Sequence, residues 1–409
     1  MPATSARSRI EFVVLIASIM MSVAFAIDSM LPALPAIGRS LGVASESRLS
    51  LIITVFVVGF GSAQFFVGTL SDRFGRRGLM LWSLIGYAVF GLTAAVAPSF
   101  TLLLVARAAQ GAAAAGARVL AVSVVRDRFS GREMAQVMSL ASMIFMAAPI
   151  LAPTMGTLVM MVAPWRWIFV ALAIIGAGLW LWVGLRLPET LKLENRLAIT
   201  PTQIVASWRI VLADRQSVGY TLAMTALSCT IMGFITSVQP IFADIFHHPE
   251  WLPGGFAVMA GTMAVASLVN SRIVMRWGMR RIGHASLIAF TFIAALHAVI
   301  ALTGRETLVS FITLQSAMMG CFALTTANFG AMAMENVGAV AGTASSVQGS
   351  FSTVLGALGG YLIARCFDGT TAPLYIGIAA AGLGALTAVF VAEGGRLFVA
   401  RHDPANIVA

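Results

Sequence analysis

Charge is what this sequence has least of. Of its 409 residues only 10% are Asp, Glu, Lys or Arg, where a soluble domain carries about 25%. A water-soluble protein with so few charges lacks the polar groups to cover its surface. Lysine is almost missing: Lys192 is the single one among 26 Lys+Arg. Cysteine is scarce too, and Cys229, Cys321 and Cys366 each lie in an apolar segment. They read as small buried hydrophobes, with neither a disulfide framework nor metal-ligand spacing. No Walker phosphate loop, dinucleotide fingerprint or nucleophile–base arrangement stands at a credible place. Those absences argue against an enzyme and against ATP hydrolysis by this chain. Any energy for uphill work then comes from an ion gradient, with no cofactor expected.

What the sequence does have is apolar length. Hydrophobic residues make up 59% of the chain. A membrane-spanning helix needs about 20 mostly apolar residues, and twelve runs qualify: 12–36, 49–70, 79–97, 100–125, 133–162, 166–187, 214–244, 252–276, 282–302, 306–334, 340–365 and 373–397. The start, "MPATSARSRIE" followed by "FVVLIASIMMSV" and "AFA", imitates a signal peptide. Because the apolar run continues past the candidate cleavage site, it is read as the first span. The runs are rich in Gly, Ala and Ser, which suits close helix packing in lipid.

Placing the amino terminus in the cytoplasm puts nineteen of the 26 Lys+Arg on the cytoplasmic side and leaves two, Arg107 and Arg118, inside the membrane. That bias predicts both termini inside, and it accounts for the net charge of +10 without nucleic acid. The longest polar connection, 186–217, falls near the middle. The expected organisation is a six-helix bundle over 1–187, a cytoplasmic linker over 188–213 and a second bundle over 214–409. "DRFGRRGLML" after the second run matches "MRWGMRRIGH" after the eighth in its arginine, aromatic, glycine and paired arginines. Matching halves point to a transporter built from repeats, with its site near the bilayer midplane.

The run "SVAFAIDSMLPALPAIG" contains Asp28. A central aspartate costs about 2.5–3.5 kcal/mol on insertion scales, so it belongs inside the protein or against water. There it can gain and lose a proton as its surroundings alternate. At 1.5 Å per residue, Asp28 lies about 12 Å and Arg107 about 10 Å from the same membrane edge, so their depths match. Arg107 is the expected partner. Arg107, Gly111, Ala115 and Arg118 form a stripe of charge and small residues on the fourth run, in which Arg118 is a candidate for the cavity or substrate site or for structural pairing.

Other candidates are structural as much as functional. In "GTLSDRFGRR", Gly68 permits close helix approach, Asp72 ends the second helix and Gly75 allows a tight turn. Arg73, Arg76 and Arg77 face the cytoplasm, and Asp127 offers an anion for one of these arginines. In "MAAPILAPTMG", Pro149 and Pro153 predict a kink in the fifth helix. Thr325, Thr326 and Asn328 are polar groups in an apolar run, suited either to a cavity wall or to interhelical hydrogen bonds. His247, His248 and Glu250 read as a solvated outer loop rather than a metal site.

Several stretches together resemble the major facilitator superfamily, and within it the bicyclomycin/chloramphenicol-resistance (Bcr/CflA-type) drug:proton antiporters. They are "DSMLPALPAIG", "GTLSDRFGRR", "RAAQGAAAAGARVLAVSVVRDRF", "WRWIF", "LPETL" and "TTANFGAMAMENVGAVAGTASS". The resemblance runs over nearly the whole chain. It implies an all-α membrane protein of twelve transmembrane helices in two pseudo-symmetric six-helix bundles, the major facilitator fold. It implies a monomer in a bacterial inner membrane, surrounded by lipid, that moves small amphipathic compounds. Asp28 would be the proton-coupling carboxylate and Arg107 its modulator. Asp72, Arg73 and Arg77 with Asp127 would form a cytoplasmic latch, Asp72 also meeting the eleventh helix near Gly342. Pro149, Pro153 and Gly156 would belong to the fifth-helix antiporter motif. That motif departs from the family pattern, with Ala152 before the second proline and Met155-Gly156 after Thr154. Met20 stands near the place of a second acid found in some members. Neutral or weakly polar amphiphiles therefore fit better than permanent cations. A transporter of one metabolite, such as a sugar, an amino acid or a siderophore, is the alternative reading. A sensor or scaffold that transports nothing is the remote one.

Overall fold

The computed structural model describes residues 6–129, 131–145, 147–191, 208–337 and 341–398. Every regular element among them is helical. Eleven helical stretches are long and apolar enough to cross a bilayer, and Ala148–Val162 is a shorter apolar helix. With its neighbour Gly131–Phe145 it completes the twelve spans read from the sequence. The protein is a multi-pass, all-α membrane protein. Residues 192–207, most of the expected linker, lie outside the described residues.

The chain divides into two compact units. The first comprises Met1–Gln203 with Ile235–Ala243 and His247–Phe256. It contains α1 (Ala6–Asp28), the short α2 (Leu34–Leu41) and α3 (Glu46–Leu49), α4 (Leu51–Phe74) and α5 (Arg76–Ala95). It continues through α6 (Phe100–Arg128), α7 (Gly131–Phe145), α8 (Ala148–Val162) and α9 (Arg166–Arg186). The second comprises Ile204–Phe234, Asp244–Phe246 and Ala257–Ala409. It holds most of α10 (Arg215–Pro240) and α11 (Leu252–Trp277), and all of α12 (Met279–Leu302), α13 (Leu308–Met334), α14 (Ala341–Arg365) and α15 (Ala372–Ala392).

The first span differs from the expected unbroken helix, the fifth is interrupted near the prolines that predicted its kink, and one rule explains both. A proline inside a helix clashes with the carbonyl four residues earlier and donates no hydrogen bond. Pro32 therefore disfavours helix continuing past residue 28, and α1 ends at Asp28. A 3₁₀ turn at Leu31–Ala33 and α2 carry the first span onward to Leu41. Pro149 acts on residue 145 in the same way. In the fifth span α7 is described to Phe145, Ala147 is a turn, and α8 starts at Ala148 with Pro149 in its first turn. Pro153, expected to add a kink, lies inside α8. The hydroxyls of Thr154 and Thr157 donate to the carbonyls of Ile150 and Pro153 along that helix.

Glycine sets how close the helices of the first unit come. A Cβ on Gly59 would stand 2.1 Å from the Ala108 carbonyl oxygen, and one on Gly111 would stand 2.0 Å from that of Phe56. The crossing of α4 and α6 is thus backbone against backbone. It places Arg107, on α6, against the carbonyls of α4.

Candidate functional site

Asp28 is the last residue of α1 and is 6% exposed. Its Oδ1 is buried and has no hydrogen-bond partner among the described residues. Ending a helix here leaves the carbonyls of its last turn without intrahelical donors. The Phe25 carbonyl is taken by the backbone N–H of Ser29 at 3.2 Å and by the Ser29 hydroxyl at 2.6 Å. The Ala26 carbonyl is taken by Arg107, whose Nη2 donates to it at 2.8 Å.

The direct pairing expected between Asp28 and Arg107 is therefore not what the structure holds. Arg107 is fully buried, and its donors are committed elsewhere. Nη1 donates to Gln110 Oε1 at 2.7 Å and Nε to the Ile52 carbonyl at 3.3 Å. The guanidinium lies over the Phe56 ring, 4.3 Å from its centroid, with Phe169 at 5.7 Å. A cation at a helix C-terminus is favoured by the helix dipole and by the free carbonyls. In this arrangement Arg107 acts as the C-terminal cap of α1 and leaves the neighbouring carboxyl unclaimed. Gln110 Nε2 reaches the Tyr87 carbonyl at 3.4 Å, and the Tyr87 hydroxyl donates to the Ser22 carbonyl at 2.9 Å. The network thereby ties α1, α4, α5 and α6 together around the break.

Gly156 presses on the same place from α8. A Cβ there would stand 1.9 Å from the Ser29 carbonyl oxygen and 3.0 Å from the Pro32 ring. The broken first span and the second half of the fifth are thus in backbone contact one residue from Asp28. Arg118, eleven residues beyond Arg107, has no hydrogen bond or ion pair among the described residues. Its guanidinium lies 5.9 Å from the Phe60 ring centroid and 5.7 Å from that of Phe145.

The loop between α4 and α5 turns at Gly75, whose φ of 94° and ψ of 159° suit only glycine. The Ser71 hydroxyl donates to the Gly68 carbonyl and receives Arg76 Nη1 in turn. Asp127 is paired by Arg76, whose Nε donates at 3.1 Å, so it serves one of the loop arginines as the sequence suggested, though not Arg73 or Arg77, which the resemblance grouped with it. Arg77 Nη2 donates to the Gly184 carbonyl at 2.7 Å, and Arg73 is exposed over the Phe74 ring. The buried guanidinium is the one whose position just after Gly75 turns it inward. The side chain of Asp72 lies outside the described residues, and with it the expected meeting near Gly342.

Glu189 is the group that sequence reasoning missed. Its two carboxylate oxygens accept from the backbone N–H groups of Arg76 at 2.9 Å and Arg77 at 3.2 Å, capping α5. Partial burial acts to raise its titration. Four backbone donors, from Leu191, Arg76, Arg77 and Thr190, outweigh that and hold the carboxyl below its ordinary range. As a sequence, "LPETL" marks no more than the end of the sixth helix. The available signal is an acid directly after a helix that returns to a loop of arginines.

The second unit repeats the device with different residues. Gly278 has φ 76° and ψ 155°, close to Gly75. Arg280 Nη2 pairs with Glu335 at 2.9 Å and Arg280 Nε with Glu393 at 3.0 Å. Glu335 follows α13 and Glu393 follows α15, as Asp127 and Glu189 stand at or beyond the ends of α6 and α9. In each unit an arginine loop is gripped by acids from the ends of the fourth and sixth spans.

The remaining candidates are engaged locally. The Thr325 and Thr326 hydroxyls donate to the Cys321 and Phe322 carbonyls of their own helix. Asn328 Nδ2 bridges to Asn270 Oδ1 at 2.9 Å, tying α13 to α11. His248 Nδ1 lies 2.9 Å from Glu250 Oε1 in an exposed loop. Among the described residues no group of three or more His, Cys, Asp or Glu is placed to hold a metal.

Comparison with known proteins agrees with this architecture. The sequence pattern of the Major Facilitator Superfamily matches residues 14–360. A Bacillus subtilis (strain 168) protein described as "Uncharacterized MFS-type transporter YdgK" is 33% identical over 341 residues, 81% of this chain and 83% of that one. The "Bicyclomycin resistance protein homolog" of Haemophilus influenzae is 28% identical over 375 residues, 90% of this chain and 92% of that one. Among solved structures, the "Partially occluded inward open conformation of the xylose transporter XylE from E. coli" has a TM-score of 0.75. It covers 97% of this chain and 100% of its own at 11% identity, and so attests the fold alone.

Proposed function

We propose, from the premise that this chain belongs to the major facilitator superfamily, that it exports small amphipathic compounds in exchange for protons. It does so by alternating access in a bacterial inner membrane, as a monomer with both termini cytoplasmic. The proton is the coupling ion, and neither a cofactor nor nucleic acid takes part. Resistance to bicyclomycin, named for one relative, supports export of drug-like compounds. The likeness to a xylose transporter carries no substrate and so does not favour a sugar.

The observation that carries the reading is the state of Asp28. It is buried at a helix break, its Oδ1 lacks a partner among the described residues, and the nearest expected cation is spent on Ala26, Ile52 and Gln110. A carboxyl so placed can take up and release a proton without first breaking an ion pair. Its own titration then changes the charge beside a discontinuous helix, the kind of element at which transporters of repeated halves bind their ions and substrates. The test is gradient-driven transport by purified protein in liposomes, for the wild type and Asp28→Asn. The expected result is that the variant inserts normally and exchanges substrate downhill but no longer responds to a pH gradient. Full gradient-driven transport by Asp28→Asn would reject the coupling role.

A further inference from the structure

Arg118 is a second charge within the membrane span that the coupling scheme does not use. It sits on α6 about 16 Å along the axis from Arg107, at 1.5 Å per residue. Its guanidinium lies over two rings, Phe60 on α4 and Phe145 on α7, and pairs with no carboxylate among the described residues. One turn from Phe60 on the same helix is Gln64, whose Oε1 is buried without a hydrogen-bond partner among the described residues. The site thus combines an unneutralised cation, two aromatic faces and an unmet polar group, all within the first unit.

Left to itself this arrangement is costly. A guanidinium inside a membrane span normally pairs with an acid or a carbonyl, as Arg107 does. Ring faces supply only part of what water would. The missing component is an anion flanked by flat apolar surface. Deepening the proposed export function, on which this rests, we propose that Arg118, Phe60 and Phe145 form a subsite for an aromatic carboxylate or comparable weakly acidic amphiphile. The carboxylate accepts from the Arg118 fork, and the aromatic body packs on the two phenylalanine rings. Gln64 meets a polar substituent through its amide. Organic cations are disfavoured, because the charge already present repels them.

The test is binding to detergent-purified wild type by a matched series: 2-naphthoate, its neutral amide 2-naphthamide, and 2-naphthylmethylammonium. Naphthoate is expected to bind about tenfold or more tighter than the amide, the scale of a hydrogen bond to a charged group, and the ammonium weakest. In Arg118→Gln the preference for naphthoate over naphthamide disappears, and Arg118→Lys restores part of it. Equal affinity across the series in the wild type overturns the proposal without any variant. So does a charge preference that survives in Arg118→Gln. These measurements need no proton gradient. A selective site in a protein that fails to respond to a pH gradient sinks the export reading alone, and a gradient-driven exporter blind to this series sinks the subsite alone.

Discussion

Arg107 donates from Nη2 to the carbonyl of Ala26 at 2.8 Å, two residues before Asp28. The arginine thus holds the backbone that presents the acid and leaves the acid itself unpaired. It serves three acceptors in three directions, the carbonyls of Ala26 and Ile52 and the side chain of Gln110. Lysine is a point charge and cannot span them.

Arg107→Lys is therefore expected to behave as a structural lesion. Each hydrogen bond to a charged group is worth about 1.5–3 kcal/mol, and at least one acceptor is left bare. The thermal unfolding midpoint in detergent should fall by several degrees. Asp28→Asn should leave it where it was, since Oδ1 gives up no bond. Had the two formed an ion pair, removing either charge would lower the midpoint by similar amounts, and that outcome would refute the capping role of Arg107.

Gly156 tests the contact between the broken spans. A methyl at that position would lie 1.9 Å from the Ser29 carbonyl oxygen, which belongs to the backbone and cannot swing aside. Overpacking of this kind costs about 1–3 kcal/mol. Gly156→Ala is expected to shift α1 at the break and to cut transport sharply. Gly178→Ala is the control, because a methyl added there would meet nothing within 4 Å. Comparable transport by the two variants would show that the approach of α8 to the break does not matter.

The twelve spans, the paired loops and the depths of Asp28 and Arg107 are legible in the sequence because hydropathy and charge placement are written along one dimension. The helix breaks are legible in principle, since Pro32 and Pro149 each name the residue four positions earlier. A continuous apolar run nonetheless masks the change of backbone. The partner of Arg107 is not legible at all. Its acceptors on Ala26 and Ile52 are main-chain carbonyls, which every residue carries. Only the turn at Gly75 prefers Arg76 over Arg73 and Arg77, and the acids of the second unit, Glu335 and Glu393, stand at positions defined by where helices end.

Glu189 predicts a pH dependence. Its carboxyl is held below the ordinary glutamate range by four backbone donors acting against partial burial. A group depressed in the folded state stabilises it above the unfolded value, about 4.3 for glutamate, and loses that contribution as pH falls through the folded value. Unfolding midpoints measured downward from neutral pH should show wild type more stable than Glu189→Gln near neutrality. The gap should close once the medium is more acidic than the glutamate range. A gap of constant size at all pH values would mean that the carboxylate charge on the α5 N-terminus contributes nothing.

The second unit offers a sharper version of the same contact, because one of its acids, Glu393, is further from solvent than Asp127. The Glu393 side chain is 1% exposed and that of Arg280 9%. The Tyr220 hydroxyl also donates to Glu393, at 2.6 Å. Removing one member of a buried pair strands the other, at about 3–5 kcal/mol, whereas replacing both with apolar groups of similar size is often close to neutral. Glu393→Leu is expected to be destabilising because Arg280 and the Tyr220 hydroxyl both lose it, Arg280 keeping Glu335 and Gln216 among the described residues. Arg280→Met added to it should recover much of the loss. A double-mutant cycle on detergent-purified protein measures the difference. Additive losses would mean that the two side chains do not feel each other, and the likeness of this loop to the one gripped by Asp127 and Glu189 would then be geometric without being energetic.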